Sequence, residues 1–193
     1  ADLTVDLYVD GMAGDDDIVF RAPALNPITG APIAWNVNAW VVGGTPSAVT
    51  GDQGDVFELE TPGTNRVEYQ PLTSETGILR LDSTNGGIAF DTTINLVSSF
   101  TVDCDSDGVN EYASSDGGFE SLVYDGETGN DRLTVFDLAG NDRIIATPGV
   151  GRDEGSIRVS ESLAIQYQNL GLSATLTVNA ANGGSDNLIQ QGT

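Results

Sequence analysis

One nine-residue stretch, Asp103-Cys104-Asp105-Ser106-Asp107-Gly108-Val109-Asn110-Glu111, carries the most specific chemistry in the chain. Carboxylates stand at relative positions 1, 3, 5 and 9. Glycine at position 6 permits a sharp turn, and Val109 at position 7 offers a backbone carbonyl. Hard oxygen donors at this spacing suit Ca2+, with Asp103, Asp105, Asp107, Val109 and Glu111 as ligands and Asp116 placed to complete the shell. Alternating carboxylates crowded without a cation repel one another. The alternative is an acidic turn that stays solvated.

The residue types that are missing narrow the chemistry further. The 193 residues include no His, and all seven basic residues are Arg. Without His there is no Ser-His-Asp or Cys-His nucleophile and no zinc site built on imidazole. Without Lys there is no Schiff base, no lysine-bearing phosphate loop and no lysine isopeptide cross-link. Carboxylate chemistry remains, as in hydrolysis of neutral polysaccharide, but no acid pair stands out from the 29 acidic residues. We therefore expect no enzyme.

A net charge of -22 and a pI near 4.1 repel nucleic acid and anionic lipid and attract divalent cations. The same charge would also serve as a solvated face in a salty medium. No stretch approaches the roughly 20 apolar residues of a membrane-spanning helix, so no membrane insertion is expected. Cys104, the single cysteine, allows no intrachain disulfide. It reads as a small buried hydrophobe, or as an intermolecular bridge in an oxidising compartment.

The acidic loop resembles the Asp-x-Asp-x-Asp-Gly calcium loop shared by EF-hands, dockerins and integrin-type propeller repeats. It departs from the EF-hand, since position 12 is Ser114 and no helical pattern flanks it. It is nearer the shorter loop closed by an acid at position 9, here Glu111. A second phrase recurs: Gly14-Asp15-Asp16-Asp17-Ile18, Gly129-Asn130-Asp131-Arg132-Leu133, Gly140-Asn141-Asp142-Arg143-Ile144 and Gly184-Ser185-Asp186-Asn187-Leu188. It is similar to the haemolysin-type nonapeptide Gly-Gly-x-Gly-x-Asp-x-aliphatic-x, which implies stacked parallel β structure. The copies here are eleven or more residues apart, and Gly-Asn-Asp also makes tight turns without calcium. Residues 120–193 are similar in phrasing to modules of very large secreted bacterial surface and matrix proteins with tandem β-rich repeats.

These loops need strands to hold them, and period-two alternation supplies them throughout. It is clear at Val37, Ala39 and Val41, at Leu163, Ile165 and Tyr167, and at Ala174, Leu176 and Val178; a shorter strand is read at Ile88 to Phe90. The N-terminus alternates from Leu3 through Val5, Leu7 and Val9. No segment sustains a helical period, so the expected class is all-β. From about Glu120 strand centres recur every ten to twelve residues, which predicts a β-solenoid or parallel β-helix-like stack over 111–193. Residues 1–110, with Pro23, Pro27 and Pro32, read as a β-sandwich-like or decorated part ending in the calcium loop; a single sandwich is the alternative.

Strand patterns at both termini would let a second copy continue the first, whether the chain is a processed protein or one repeat of a longer one. The expectation is an extracellular, cell-surface structural subunit that joins copies of itself head to tail, with Ca2+ as its stabilising ion. The alternative is an adhesion module binding carbohydrate or protein through Trp40, with Trp35 and Trp40 otherwise read as core aromatics.

Overall fold

The computed structural model describes residues 4–45, 54–84, 89–103, 107–115 and 117–191, and every regular element among them is a β-strand. The class is all-β. Alternation is the physical basis: along β4 (Val56–Pro62) Phe57, Leu59 and Thr61 are buried while their neighbours are half-buried. The same rhythm runs through β5 (Arg66–Pro71), β7 (Thr92–Leu96), β10 (Ser121–Thr128) and β11 (Arg132–Phe136). Each strand therefore turns one row inward and one outward.

The strands form two seven-stranded sheets. The first runs β1 (Val5–Asp10), β3 (Val37–Val42), β7, β6 (Gly77–Asp82), β5, β11 and β15 (Thr175–Asn179). The second runs β2 (Asp17–Arg21), β4, β10, β14 (Ile165–Gln168), β13 (Gly155–Val159), β12 (Arg143–Pro148) and β16 (Asn187–Gln190). A separate antiparallel hairpin joins β8 (Phe100–Val102) to β9 (Tyr112–Ser114). Of the strand read at Ile88 to Phe90, Ile88 lies outside the described residues, while Ala89 and Phe90 are not in a strand.

Pairing is parallel everywhere in the two large sheets except around β6 and β13, each antiparallel to both neighbours. The expected uniform β-helix-like stack over 111–193 is thus corrected to mixed sheets. The reason lies in the turns. A ten-to-twelve-residue spacing suits a corner between sheets and a hairpin within one sheet equally well. The Pro148-Gly149-Val150-Gly151 segment makes a hairpin, closed by Gly149 N–H to the Glu154 carbonyl at 2.9 Å. Both sheets also draw strands from either side of residue 110: β10 lies on β4 and β11 on β5.

One core fills the space between the sheets, with Phe57, Leu59, Tyr124 and Leu122 of the second sheet and Ile94, Leu96, Leu79 and Tyr69 of the first all buried. Tyr69 crosses the layers, its hydroxyl donating to the Leu163 carbonyl at 2.8 Å. Tyr69→Phe removes that donor and leaves a buried carbonyl short of its partner, so urea melts should show a loss of about 1–3 kcal/mol. The corners stack as closely as the strands. Gly129 holds φ 118°, and a Cβ there would overlap the Gly63 carbonyl of the adjacent corner. Gly184, at φ 116°, stands in the same relation to Gly140. Gly14 and Gly140 are not crowded in this way, but they too hold positive φ, 143° and 112°, and that left-handed backbone is what glycine supplies at the start of every copy of the phrase.

Candidate calcium loop and strand-entry carboxylates

The β8–β9 hairpin presents Asp103 and residues 107–111 and is fastened to the first sheet by aromatic side chains. Phe100 packs on Tyr8 with ring centroids 5.4 Å apart and on Tyr112 at 5.9 Å. The Tyr112 hydroxyl donates to Asp10 at the end of β1. Tyr8 in turn stacks on Trp40, at 4.9 Å and an interplanar angle of 10°. The loop is therefore tied to the edge strand β1 through side chains rather than through the sheet ladder.

Within the loop, Gly108 N–H donates to Asp103 Oδ2 at 2.9 Å and Val109 N–H donates to Asp107 Oδ1 at 2.7 Å. Gly108 takes φ 88°, the conformation expected of glycine at the sharp turn. Asp103, Asp107 and Glu111 each bring a carboxylate oxygen within 4.8 Å of the others. Oxygens that share one Ca2+ at about 2.4 Å are separated by at most roughly twice that distance, so these three fit a single ion. Asp105, Cys104 and Asp116 lie outside the described residues. Val109 is exposed and lies in the same turn.

The recurrent phrase has a different role. Its aspartate occupies the position immediately before a strand: Asp16 before β2, Asp131 before β11, Asp142 before β12 and Asp186 before β16. Asp131 Oδ1 accepts the Asn65 N–H at 2.7 Å, and Asp186 Oδ1 accepts the Asp142 N–H at 2.9 Å. Both donors are themselves strand-entry residues on the adjacent corner. Asp55 and Glu120, which enter β4 and β10, continue the pattern: Asp16 N–H donates to Asp55 Oδ1 at 2.9 Å, and Asp55 N–H to Glu120 Oε2 at 2.7 Å. A carboxylate ladder thus pins neighbouring corners where the sheet ladder begins. Sequence reading missed Asp55, Asn65 and Glu120. The signal was present, since each directly precedes a strand, but the phrase around it is not repeated.

Two members of this ladder differ in how their charge is managed. Asp142, nearly buried, satisfies both oxygens: Leu138 N–H donates to Oδ2 at 3.1 Å and the Ser160 hydroxyl to Oδ1 at 2.8 Å. With Asp137 and Asp186 it forms a second group of three carboxylates within 4.8 Å. Asp131 is fully buried, and its Oδ2 has no hydrogen-bond partner. Burial pushes its carboxyl up to about 7, against the opposing hydrogen bonds from Asn65.

The sign of the consequence follows from linkage. An unfolded aspartate ionises near 3.9, whereas the folded one keeps its proton until about pH 7. Stability from this group is complete below about pH 4 and declines as pH rises through 7. Asp131→Asn keeps the acceptor for Asn65 and cannot ionise, so urea melts at pH 5 and pH 8 should differ less than in the parent. At pH 8 the variant should gain on the order of 2 kcal/mol.

Trp40 projects from the outer side of the first sheet, half-buried between Tyr8 and Asn95 in register. Trp35 instead packs against the core, edge-on to Phe20 at 6.0 Å. The tryptophan pair is thereby divided between a surface stack and the core margin. Comparison with known protein families, with curated proteins and with solved structures finds no match for this chain.

Proposed function

We propose that this chain is a structural subunit or repeat of an extracellular fibre or surface layer, joined head to tail to copies of itself and stabilised by Ca2+. The observation that carries the reading is the state of the two ends. β1 and β2, linked by residues 11–16, are the edge strands at one end. β15 and β16, linked by residues 180–186, are the edge strands at the other. At both ends part of the inward-facing row is apolar and left uncovered, although in β2 Phe20 is buried against Phe57 and Trp35. Val5 and Leu7 continue the rows of buried Val37 and Ala39 yet are 57% and 37% exposed. Leu176 and Leu188 continue those of buried Leu133 and Ile144 yet are 39% and 61% exposed.

A stack that ends on its own core requires a cap or another unit. The strand directions favour another unit. Because β6 and β13 each reverse direction between parallel partners, β15 points the same way as β1 and β16 the same way as β2. A second copy would extend both sheets with parallel pairs. The two ends carry different sequences, so the contact is heterologous and grows without closing unless its rotation closes a ring. Between the expected architectures we favour two facing mixed sheets, each carrying one antiparallel strand. Electron microscopy of the full chain in millimolar Ca2+ tests the function; chains that stay dispersed at high concentration overturn it.

A second reading is favoured by one observation. The Tyr8–Trp40 stack lies partly exposed on the outside of the first sheet, a surface suited to the face of a sugar ring or to an apolar partner group. On this reading the chain is an adhesion module, and Trp40→Ala abolishes binding on a glycan array without loss of fold.

A further inference from the structure

We propose that Asp16 and Asp55 form a divalent-cation site, taking Ca2+, at the corner where β2, β4 and β10 start side by side. The site is separate from the loop at 103–111 and does not depend on assembly of the chain.

The hydrogen bonds already described bring the groups together: Asp16 N–H reaches the Asp55 carboxylate, and Asp55 N–H reaches that of Glu120. Asp55 is fully buried, and its Oδ2 has no hydrogen-bond partner. Asp16 Oδ2 is likewise buried and unpartnered. Two neighbouring carboxylates therefore each hold one oxygen away from water, with no hydrogen-bond partner for it among the described residues. Among the described residues, which include all seven arginines, none forms an ion pair with Asp16 or Asp55. A buried carboxylate oxygen left unmatched is costly, and two adjacent ones add mutual repulsion.

The walls of the corner suit a cation. A Cβ on Gly11 would lie 3.2 Å from Asp16 Oδ2 and would overlap the Gly43 carbonyl oxygen, and one on Gly14 would lie 3.8 Å from the same carboxylate oxygen. Glycines 11 and 14 therefore border the Asp16 carboxylate where a larger residue would otherwise stand, and the Gly43 carbonyl lies against Gly11. Ca2+ accepts carboxylate and backbone carbonyl oxygens together. The contrast with the rest of the ladder supports the assignment. Asp142 finds two protein donors for its oxygens. Asp131 also has an orphan oxygen, but its partner across the corner is the neutral Asn65. One lone carboxyl is neutralised by one proton; a coupled pair calls for a double charge. Burial, reinforced by Asp16 and Asp15, raises Asp55, and burial with Asp55 and Glu75 nearby raises Glu120, so anionic forms here need compensation.

Calorimetric titration of the full chain with CaCl2, at dilution where chains are dispersed, tests the proposal. Asp107→Asn with Glu111→Gln silences the hairpin loop and defines the background. Adding Asp55→Asn, which keeps the acceptor for Asp16 N–H, should remove one Ca2+ equivalent per chain, with the fold verified by circular dichroism. Asp16→Asn should remove the same equivalent and serves if the first variant does not fold. An unchanged stoichiometry in either folded variant overturns the proposal. So does a background chain that takes up no Ca2+, or a corner that answers only to pH, in which case protons alone neutralise the pair.

Discussion

Leu188→Asp should abolish end-to-end growth while leaving each subunit folded. Leu188 lies in register with buried Ile144 but is 61% exposed, because among the described residues β16 has no neighbour on its far side. A carboxylate there changes the isolated subunit by about 0.5 kcal/mol, the usual scale for an exposed position. In an assembly the same carboxylate would be buried between two apolar rows without a partner, which costs several kcal/mol per contact. Fibres should therefore disappear from micrographs while the melting temperature barely moves. Val5→Asp, at the opposite end, should behave alike. Because the proposed contact is heterologous, mixing the two variants gives a sharper result: each keeps the end that the other lacks, so one-to-one dimers should form and no longer species. Fibres of normal abundance from Leu188→Asp, or a mixture that stays monomeric while the parent polymerises, would refute the end-to-end model.

The second large effect is expected from chelation. A ligand that binds only the folded state stabilises it by about 2.7 kcal/mol at a hundred times its dissociation constant. That is a large share of a margin of roughly 5–15 kcal/mol. If Ca2+ is held by Asp103, Asp107 and Glu111 as proposed, removing it leaves three carboxylates unscreened within 4.8 Å of one another. The loop should open, and the consequence should travel: Phe100 and Tyr112 tie the hairpin to Tyr8 and Asp10 of β1, an edge strand that growth would use. Chelator should thus lower the melting temperature and suppress assembly together. CaCl2 should restore both, and NaCl of equal ionic strength neither. Asp105→Asn with Asp107→Asn should reproduce the chelated behaviour. Melting and assembly that ignore the chelator, or that NaCl alone rescues, would reduce the acidic loop to a solvated surface.

Much of the scaffold was legible from the residues alone. Alternation marked β1, β3, β14 and β15 because a half-buried strand must alternate apolar and polar side chains, and the glycine-aspartate phrase marked the starts of β2, β11, β12 and β16. The loop geometry at Asp103, Asp107 and Glu111 follows from local spacing, since a tight turn brings positions 1, 5 and 9 together whatever surrounds it. β8 and β9 escaped notice because three-residue strands carry too few side chains to show a period. What the tertiary structure alone decided is which strands meet. Periodicity records how one strand divides its faces but not its neighbour, so it could not show that β6 and β13 run against their sheets. For the same reason Asp16, Asp55 and Glu120, up to about a hundred residues apart in the chain, acquired a common corner only when their strands paired. The orphan oxygens of Asp16, Asp55 and Asp131 are a property of that packing, because burial and the lack of a partner arise only when distant segments close over a charge.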